Sequence, residues 1–250
     1  MIRLIDMEIL KIKRSSIIWT LIFVPVLSVI LVSFLFSNNT FALQSLLNQW
    51  SILWIILLSS LISGLSHHRE NVSTQYKMIL SSSNNLFKYE FCRIMSLDIM
   101  FLIGNLILLI LVFLTSTFLQ STVSLSHLVL AIIVMYISSM WMIPFFLMIS
   151  RLLNMFFSIL IAFFGTIVGV ICAGSSYAGF IPFSWSSITV SSITKMNVNG
   201  VPMDTNKITS FPIESILFSL LFFILMIIIE SYLFTKQEVS NVSYIHVGNY

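Results

Sequence analysis

Six long apolar stretches dominate this sequence, and they restrict what the chain can fold into. They cover residues 17–36, 46–65, 99–118, 128–150, 155–174 and 213–234. A helix of about 20 apolar residues crosses the roughly 30 Å hydrocarbon core of a bilayer and satisfies its own backbone hydrogen bonds there. With 8% charged residues and a mean hydropathy of +1.04, the chain lacks the polar surface of a soluble domain. The sequence therefore predicts an all-α integral membrane protein with six transmembrane helices, in one domain spanning residues 1–250.

The lysine and arginine residues are distributed unevenly among the segments that join these stretches. Ten of the twelve lie before the first stretch, between the second and third, between the fourth and fifth, or after the sixth. The other two, Lys195 and Lys207, lie in segment 175–212. Basic residues are retained on the cytoplasmic side of a membrane. This asymmetry predicts that both termini are cytoplasmic, and an even number of spans agrees with it.

The N-terminal segment 1–14 has an amphipathic pattern. Isoleucine recurs at helical spacing and faces charged residues on the other side: Ile2, Ile5, Ile9 and Ile12 against Arg3, Asp6, Lys13 and Arg14. This pattern favours an N-terminal amphipathic helix that lies in the cytoplasmic membrane interface. The alternative is a basic flank that only orients the first span.

The segment 66–95 is the largest one predicted on the cytoplasmic side. We expect a helix over 70–80, a polar break at Ser81–Asn85, and a second helix that runs into the third span with Lys88, Glu90 and Arg93 available to water. Such a helix–break–helix would offer a docking surface to a soluble partner. The segment 175–212 is predicted to be external, either as a floppy loop or with part of it folded back as a short helix at the outer leaflet.

Motifs that carry catalysis or metal binding do not occur. The sequence has no Walker A loop and no H-E-x-x-H, G-x-S-x-G or C-x-x-C pattern, and its two cysteines suggest neither a disulfide framework nor a metal site. We therefore expect no enzyme activity, no cofactor and no metal in this chain, and no nucleic-acid partner. Asp98 and Glu230 are expected to reach the cytoplasmic interface, which leaves no acid at the membrane midplane and argues against an ion-coupled carrier.

Small residues in the fifth stretch indicate close helix packing. Gly165, Gly169 and Ala173 recur at every fourth position and share one helix face. This face fits packing within the subunit better than a dimer seam, although both arrangements are possible. Two prolines, Pro25 and Pro144, are expected to kink their spans.

In layout and in two motifs, the chain resembles the ABC-2 class of ABC-transporter permeases. Met7–Ser15 is similar to the family's opening pattern E-x-x-K-x-K/R-R, which maps onto these residues: Glu8, Lys11, Lys13 and Arg14. The segment 68–93 looks like the family's coupling region, which maps onto these residues: Glu70, Tyr76, Lys77 and Leu80. It departs from the family because Ser81–Asn84 contains no proline where the family has a proline turn.

The length and the composition, rich in Phe, Ile, Ser and Asn, narrow the resemblance to bacteriocin (lantibiotic) self-immunity permeases of Gram-positive bacteria. The resemblance implies a multi-pass protein of the bacterial cytoplasmic membrane that expels an amphipathic peptide. It implies two copies of a cytoplasmic P-loop ATPase subunit, which bind ATP and Mg²⁺ and grip the coupling region. It also implies a second permease subunit, the same or different, and contact with membrane lipids.

Three alternatives stay open. The chain could be an ABC-2 permease for another cargo, such as a drug, a lipid-linked glycan or an ion. It could be a stand-alone membrane immunity protein that works without an ATPase. An intramembrane enzyme is the third, and it would need acids, histidines or cysteines that converge at membrane depth.

Overall fold

The fold is a bundle of long helices. The computed structural model describes residues 2–13, 15–36, 39–73, 85–175, 177–203 and 211–247, with no side chains described for 2, 73 and 237–247. Its α-helices are α1 (Ile2–Ile12), α2 (Ile17–Phe36), α3 (Ala42–Gln49), α4 (Ile55–Ser73), α5 (Leu86–Thr115), α6 (Leu125–Ser139), α7 (Met142–Leu152), α8 (Met155–Ala173), α9 (Trp185–Thr194) and α10 (Ile213–Val247). A π-helical turn, Trp50–Trp54, joins α3 to α4. No strand forms within these residues.

The prediction of six membrane-spanning helices is confirmed. Six helical segments are long and apolar enough to cross a bilayer: Ile17–Phe36, Ala42–Val72, Leu86–Thr115, Leu125–Leu152, Met155–Ala173 and Ile213–Lys236. The second and third are longer than the sequence indicates. Because α4 continues to Ser73 and α5 begins at Leu86, most of segment 66–95 belongs to spanning helices. The helix expected over 70–80 is therefore the end of α4 as far as Ser73, and residues 74–84 lie outside the described part of the chain.

The fourth span is broken near its middle. It consists of α6 and α7, which are separated by Met140 and Trp141. Pro144 has no N–H to donate to the Met140 carbonyl, and the Ile143 N–H bonds to that carbonyl instead at 3.2 Å. The span expected to be kinked by Pro144 is thus interrupted one turn before the proline. Pro25, in contrast, lies inside an α2 that continues on both sides of it.

The span made of α3, the π-turn and α4 forms the centre of the bundle. In its most apolar stretch 67% of the residues are buried, against 22% in α8 and 28% in α10. Serines make several of its contacts: Ser63 Oγ donates to the Ile143 carbonyl at 3.0 Å, and Ser60 Oγ lies 3.5 Å from Ser158 Oγ. Small hydroxylated side chains let helices approach closely and bond across the seam. The large apolar side chains of α8 and α10 mostly face outward, as a lipid-facing surface requires.

Part of segment 175–212 folds into the bundle. It forms two short 3₁₀ turns, at Ala178–Phe180 and Pro182–Ser184, and then α9. The prediction of a short helix in this segment is confirmed, and this helix packs into the bundle. Most of α9 is buried, and Ser186 Oγ donates to the Ser51 carbonyl at 2.8 Å. The hydroxyl groups along α9 give it hydrogen-bonding partners inside the protein.

Candidate functional site

One end of the bundle carries most of the described basic residues, and we call it the basic end. Here α1 lies against α5 and is held by a buried carboxylate. Glu8 is only 2% exposed, and its Oε1 accepts a hydrogen bond from Tyr89 Oη at 2.8 Å and one from Lys11 Nζ at 2.6 Å. Burial of Glu8 needs these donors, because an unpaired buried charge is costly. The first helix is therefore a packed part of the fold and not a free flank.

Lys11 connects this contact to the end of α4. Its Nζ lies 3.4 Å from Glu70 Oε1 and donates to Tyr89 Oη at 3.2 Å. Arg69 Nη2 lies 3.3 Å from the same Glu70 oxygen. Three helices, α1, α4 and α5, thus meet in one charged cluster beside segment 74–84. We call Glu8, Lys11, Glu70 and Tyr89 the α1 cluster.

The structure brings together predicted residues from two separate motifs. Glu8 and Lys11 come from the N-terminal motif and Glu70 from the coupling motif, and all three belong to the α1 cluster. Lys13 is exposed just beyond the end of α1. The other residues predicted at this end lie outside the described residues: Arg14, Tyr76, Lys77 and Leu80.

A second group of charges lies deeper in the basic end, and we call it the ionic network. Arg151 Nη2 on α7 lies 2.5 Å from Glu90 Oε1 on α5 and 2.8 Å from Glu230 Oε1 on α10. Arg93 Nη1 lies 3.5 Å from Glu90 Oε2 and Arg93 Nη2 donates to Ser66 Oγ of α4 at 3.2 Å. Two acids and two bases therefore tie four helices together with no net charge.

The expectation that Glu90 and Arg93 are available to water is wrong. Both side chains are 0% exposed, and Arg151 is 5% exposed in its side chain. Glu90 and Arg93 are three residues apart and share the inner face of α5, where Arg151 of α7 pairs with Glu90 and Ser66 of α4 accepts hydrogen bonds from Arg93. Lys88, on the other side of the same helix, is exposed as expected. The i,i+3 spacing was visible in the sequence, but the partners were not.

The ionic network is incompletely hydrogen-bonded. Among the described residues, neither carboxylate oxygen of Glu230 accepts a hydrogen bond: Arg151 Nη2 is 2.8 Å from Oε1, but its N–H groups do not point at that oxygen. Arg151 Nε and Nη1 also have no hydrogen-bond acceptor among the described residues. The guanidinium does lie over the Phe234 ring, 4.4 Å from its centroid. Buried ion pairs add little net stability but leave a large penalty when one partner is removed.

Asp98, which was expected to reach the cytoplasmic interface, is buried among the helices. Its carboxylate is 6% exposed and turns into the bundle, where Oδ2 accepts a hydrogen bond from Tyr136 Oη of α6 at 2.7 Å. Glu230, expected near the surface of the sixth span, is 0% exposed. Both acids lie on inward faces of their helices, and position along the sequence alone did not indicate the face.

The small residues of α8 approach the 3₁₀ turn Pro182–Ser184. A Cβ on Gly169 would stand 2.6 Å from the Phe183 carbonyl oxygen, and a Cβ on Gly165 would collide with the Phe183 ring. Both contacts are within the subunit, with a turn and not with another long helix. Ala173, on the same face, borders a cavity described below.

Two amide side chains, Gln44 and Asn48, connect the helices at the end of the bundle opposite the basic end. Gln44 of α3 is 1% exposed and bonds through Nε2 to Thr122 Oγ1 and to the Thr194 carbonyl, both at 3.0 Å. Asn48 Nδ2 donates to the Asn197 carbonyl at 3.2 Å. These two amides connect α3 to the start of α6 and to the end of α9.

Neither end offers a metal or an obvious reacting group within the described residues. No group of three or more His, Cys, Asp and Glu side chains there could hold a metal ion. The described residues of the basic end provide eight charged side chains in ion pairs, and these pairs link α1, α4, α5, α7 and α10.

Comparison with protein families, with curated proteins and with solved structures finds no match. The fold itself defines the class: a multi-pass helical membrane protein with six helices long and apolar enough to span a bilayer.

Proposed function

We propose that this chain is the membrane-spanning permease subunit of an ATP-driven exporter in a bacterial cytoplasmic membrane. Its cargo is an amphipathic antimicrobial peptide of the lantibiotic type, expelled for self-immunity. ATP hydrolysis takes place in a separate P-loop ATPase, and this chain has no catalytic residues. Both termini lie in the cytoplasm, α1 lies in the cytoplasmic interface, and the basic end faces the ATPase. The resemblance to ABC-2 permeases supports the proposal.

The observation that carries the proposal is the position of two neighbouring residues on α5. Tyr89 and Glu90 lie in its second turn, close after segment 74–84. Tyr89 contacts Glu8 and Lys11 on α1, and Glu90 contacts Arg151 on α7. A displacement of this part of α5 therefore acts on both the α1 cluster and the ionic network. A partner that pulls on segment 74–84 would move five helices through contacts that are already buried.

The transport cycle follows from these connections. ATP-driven closure of the ATPase subunits shifts the ends of α4 and α5, and the ionic network exchanges partners as the basic end rearranges. Its unaligned Glu230–Arg151 contact favours such an exchange, because little hydrogen-bond energy holds it. The exposed residues Val72 and Lys88, at the ends of α4 and α5, offer a docking surface to the ATPase.

The proposed orientation predicts a labelling pattern. In a variant without Cys92 and Cys172, Val201→Cys should react with a membrane-impermeant maleimide in intact cells, whereas Val72→Cys should react only after permeabilisation. Both valines are exposed, at 55% and 69%, and lie at opposite ends of the bundle. Labelling of Val72→Cys in intact cells would show that the basic end faces outward and that the proposed orientation is wrong.

The proposed function predicts that a P-loop ATPase binds the basic end of the bundle. A P-loop ATPase should co-purify with the full chain from native membranes, and Val72→Asp should reduce its recovery about tenfold, as loss of a contact worth roughly 1.4 kcal/mol does. Val201→Asp is the matched control, because it places the same charge at an exposed valine of the other end, and it should leave recovery unchanged.

Resistance of the cells to the peptide completes this test. It should fall with Val72→Asp and stay at the wild-type level with Ile213→Asp, which places the same charge at an exposed residue of the end opposite the basic end. Recovery of no ATPase with the wild-type chain, together with full resistance when the candidate ATPase genes are deleted, would reject the exporter and favour a stand-alone immunity protein.

A further inference from the structure

A cavity of about 600 Å³ lies at the end of the bundle opposite the basic end. It is an open cleft bordered by the last residues of α8, by one face of α9 and by the turn that follows α9. Its volume lies in the range of small-ligand sites, about 300–1,000 Å³. None of the residues described above as the α1 cluster or the ionic network takes part in it.

The cavity has a mixed lining in which apolar side chains and four polar residues alternate, and the described lining carries no charge; the polar residues are Ser191, Ser192, Asn197 and Asn199. Val170 and Ile171 of α8 form one side, Ile188 of α9 another, and Met203 of the following turn a third. The exposed side of α8 continues directly from this wall, since Val170 is 40% and Ile171 72% exposed. An apolar molecule in the membrane therefore has a continuous path along α8 to the cavity.

One polar group in the lining has no partner. Ser191 is 4% exposed, and its Oγ makes no hydrogen bond among the described residues. Its neighbour Ser192 donates to the Thr189 carbonyl and Thr194 to the Val190 carbonyl, as helical hydroxyls commonly do. A buried hydroxyl without a partner is unfavourable by about 1–3 kcal/mol. The Ser191 Oγ has almost no accessible surface in this conformation, so it reaches a ligand acceptor in the cavity by rotating about the Cα–Cβ bond to another staggered position.

The turn that borders the cavity is held in place by the rest of the fold. Asn48 of α3 donates to the carbonyls of Asn197 and Val198, which lie in the cavity lining. Within the turn, Asn197 N–H bonds to the Val201 carbonyl at 2.8 Å and Gly200 adopts a φ of +81°, which glycine accommodates without strain. The cavity is thus a built part of the structure.

We propose that this cavity binds an uncharged amphipathic stretch of peptide, with apolar side chains against Val170, Ile171 and Ile188 and a peptide carbonyl accepting a hydrogen bond from Ser191. A phospholipid headgroup fits less well, because the described lining offers no Lys, Arg or His to a phosphate. The inference deepens the proposed function, on which it rests, by placing a cargo site at the end away from the ATPase.

The test uses the purified full chain in lipid nanodiscs, without any ATPase. The probe is an uncharged, blocked peptide of leucine, serine and phenylalanine with a benzophenone group, and photo-labelled residues are mapped by mass spectrometry. We expect labelling of the cavity lining and saturable binding. Gly174→Phe should reduce the affinity at least about tenfold by filling the cavity, since a Cβ at Gly174 meets no atom within 4 Å and the fold tolerates it.

Two further variants distinguish binding in the cavity from a general effect of substitution on the protein. Ser191→Ala should weaken binding about fivefold, the loss of one hydrogen bond. Val168→Phe places the same phenyl ring on the exposed face of α8 outside the described lining and should leave the affinity unchanged. Wild-type affinity in both Gly174→Phe and Ser191→Ala would overturn the proposal.

A photoreactive phosphatidylglycerol tests the alternative that the cavity binds a lipid. If it labels the lining and the peptide does not displace it, the cavity is a lipid site and the proposal is wrong. Because binding is measured without an ATPase, its failure leaves the exporter function standing. Conversely, peptide binding by a chain that recovers no ATPase would keep the cavity site and reject the exporter.

Discussion

Arg151→Met should lower the free energy of unfolding by about 3–5 kcal/mol, the usual result of removing one member of a buried ion pair. Arg151 contacts both Glu90 and Glu230, and neither carboxylate is exposed. Without the guanidinium, Glu230 loses the one described charge partner it has, whereas Glu90 keeps Arg93. The loss can be measured by denaturation with sodium dodecyl sulfate in mixed micelles, followed by circular dichroism.

A matched control is available on α10. Lys236→Met makes the same change of charge at an exposed residue of the same end and should alter stability by no more than about 0.5 kcal/mol. Adding Glu230→Gln to Arg151→Met should recover part of the loss, because it removes the uncompensated charge. Equal stability of Arg151→Met and Lys236→Met would show that the ionic network does not hold the basic end together.

Gly169→Ala should destabilise the protein by about 1–3 kcal/mol, the usual effect of overpacking. The added Cβ would stand 2.6 Å from the Phe183 carbonyl oxygen, and a backbone atom cannot rotate away as a side chain can. Phe183 itself packs against Trp141, with ring centroids 5.3 Å apart, so the turn has little freedom to retreat. Thermal unfolding in detergent, followed by tryptophan fluorescence, reports the loss.

Gly174→Ala is the control for this second variant. It adds the same methyl group near the end of the same helix, where a Cβ meets no atom within 4 Å and φ is −87°. We expect wild-type stability. If Gly169→Ala also melts at the wild-type temperature, the close approach of α8 to the Pro182–Ser184 turn is not a structural requirement.

The six spans could be predicted because each depends on local chemistry. A run of about 20 apolar residues suits the bilayer core, and a helix satisfies its own backbone groups within that run. The ends of the spans were predicted less well. Segment 66–95 contains many polar residues and was expected to leave the bundle, but α4 and α5 extend through most of it. Partners on other helices accommodate those polar residues, and the sequence does not name them.

In the candidate site, too, the sequence predicted individual residues but not the contacts between helices. Glu8, Lys11 and Glu70 were predicted as functional, but nothing in the sequence placed them in one cluster. Arg151 and Glu230 were missed as site residues, and Glu90 was expected in water. One signal was available: in a chain with 8% charged residues, an acid or a base inside an apolar stretch marks a position that needs a partner.

The sequence by itself determined the class of the protein, the number of spans and the end at which basic residues collect. These properties follow from the composition of each segment. Only the tertiary structure decided which charges pair, which face of α5 is buried, and that α9 lies inside the bundle. Glu90 and Arg151 are 61 residues apart, and they meet only because four helices dock with particular rotations. Those rotations depend on the packing of the whole bundle at once, which no single segment encodes.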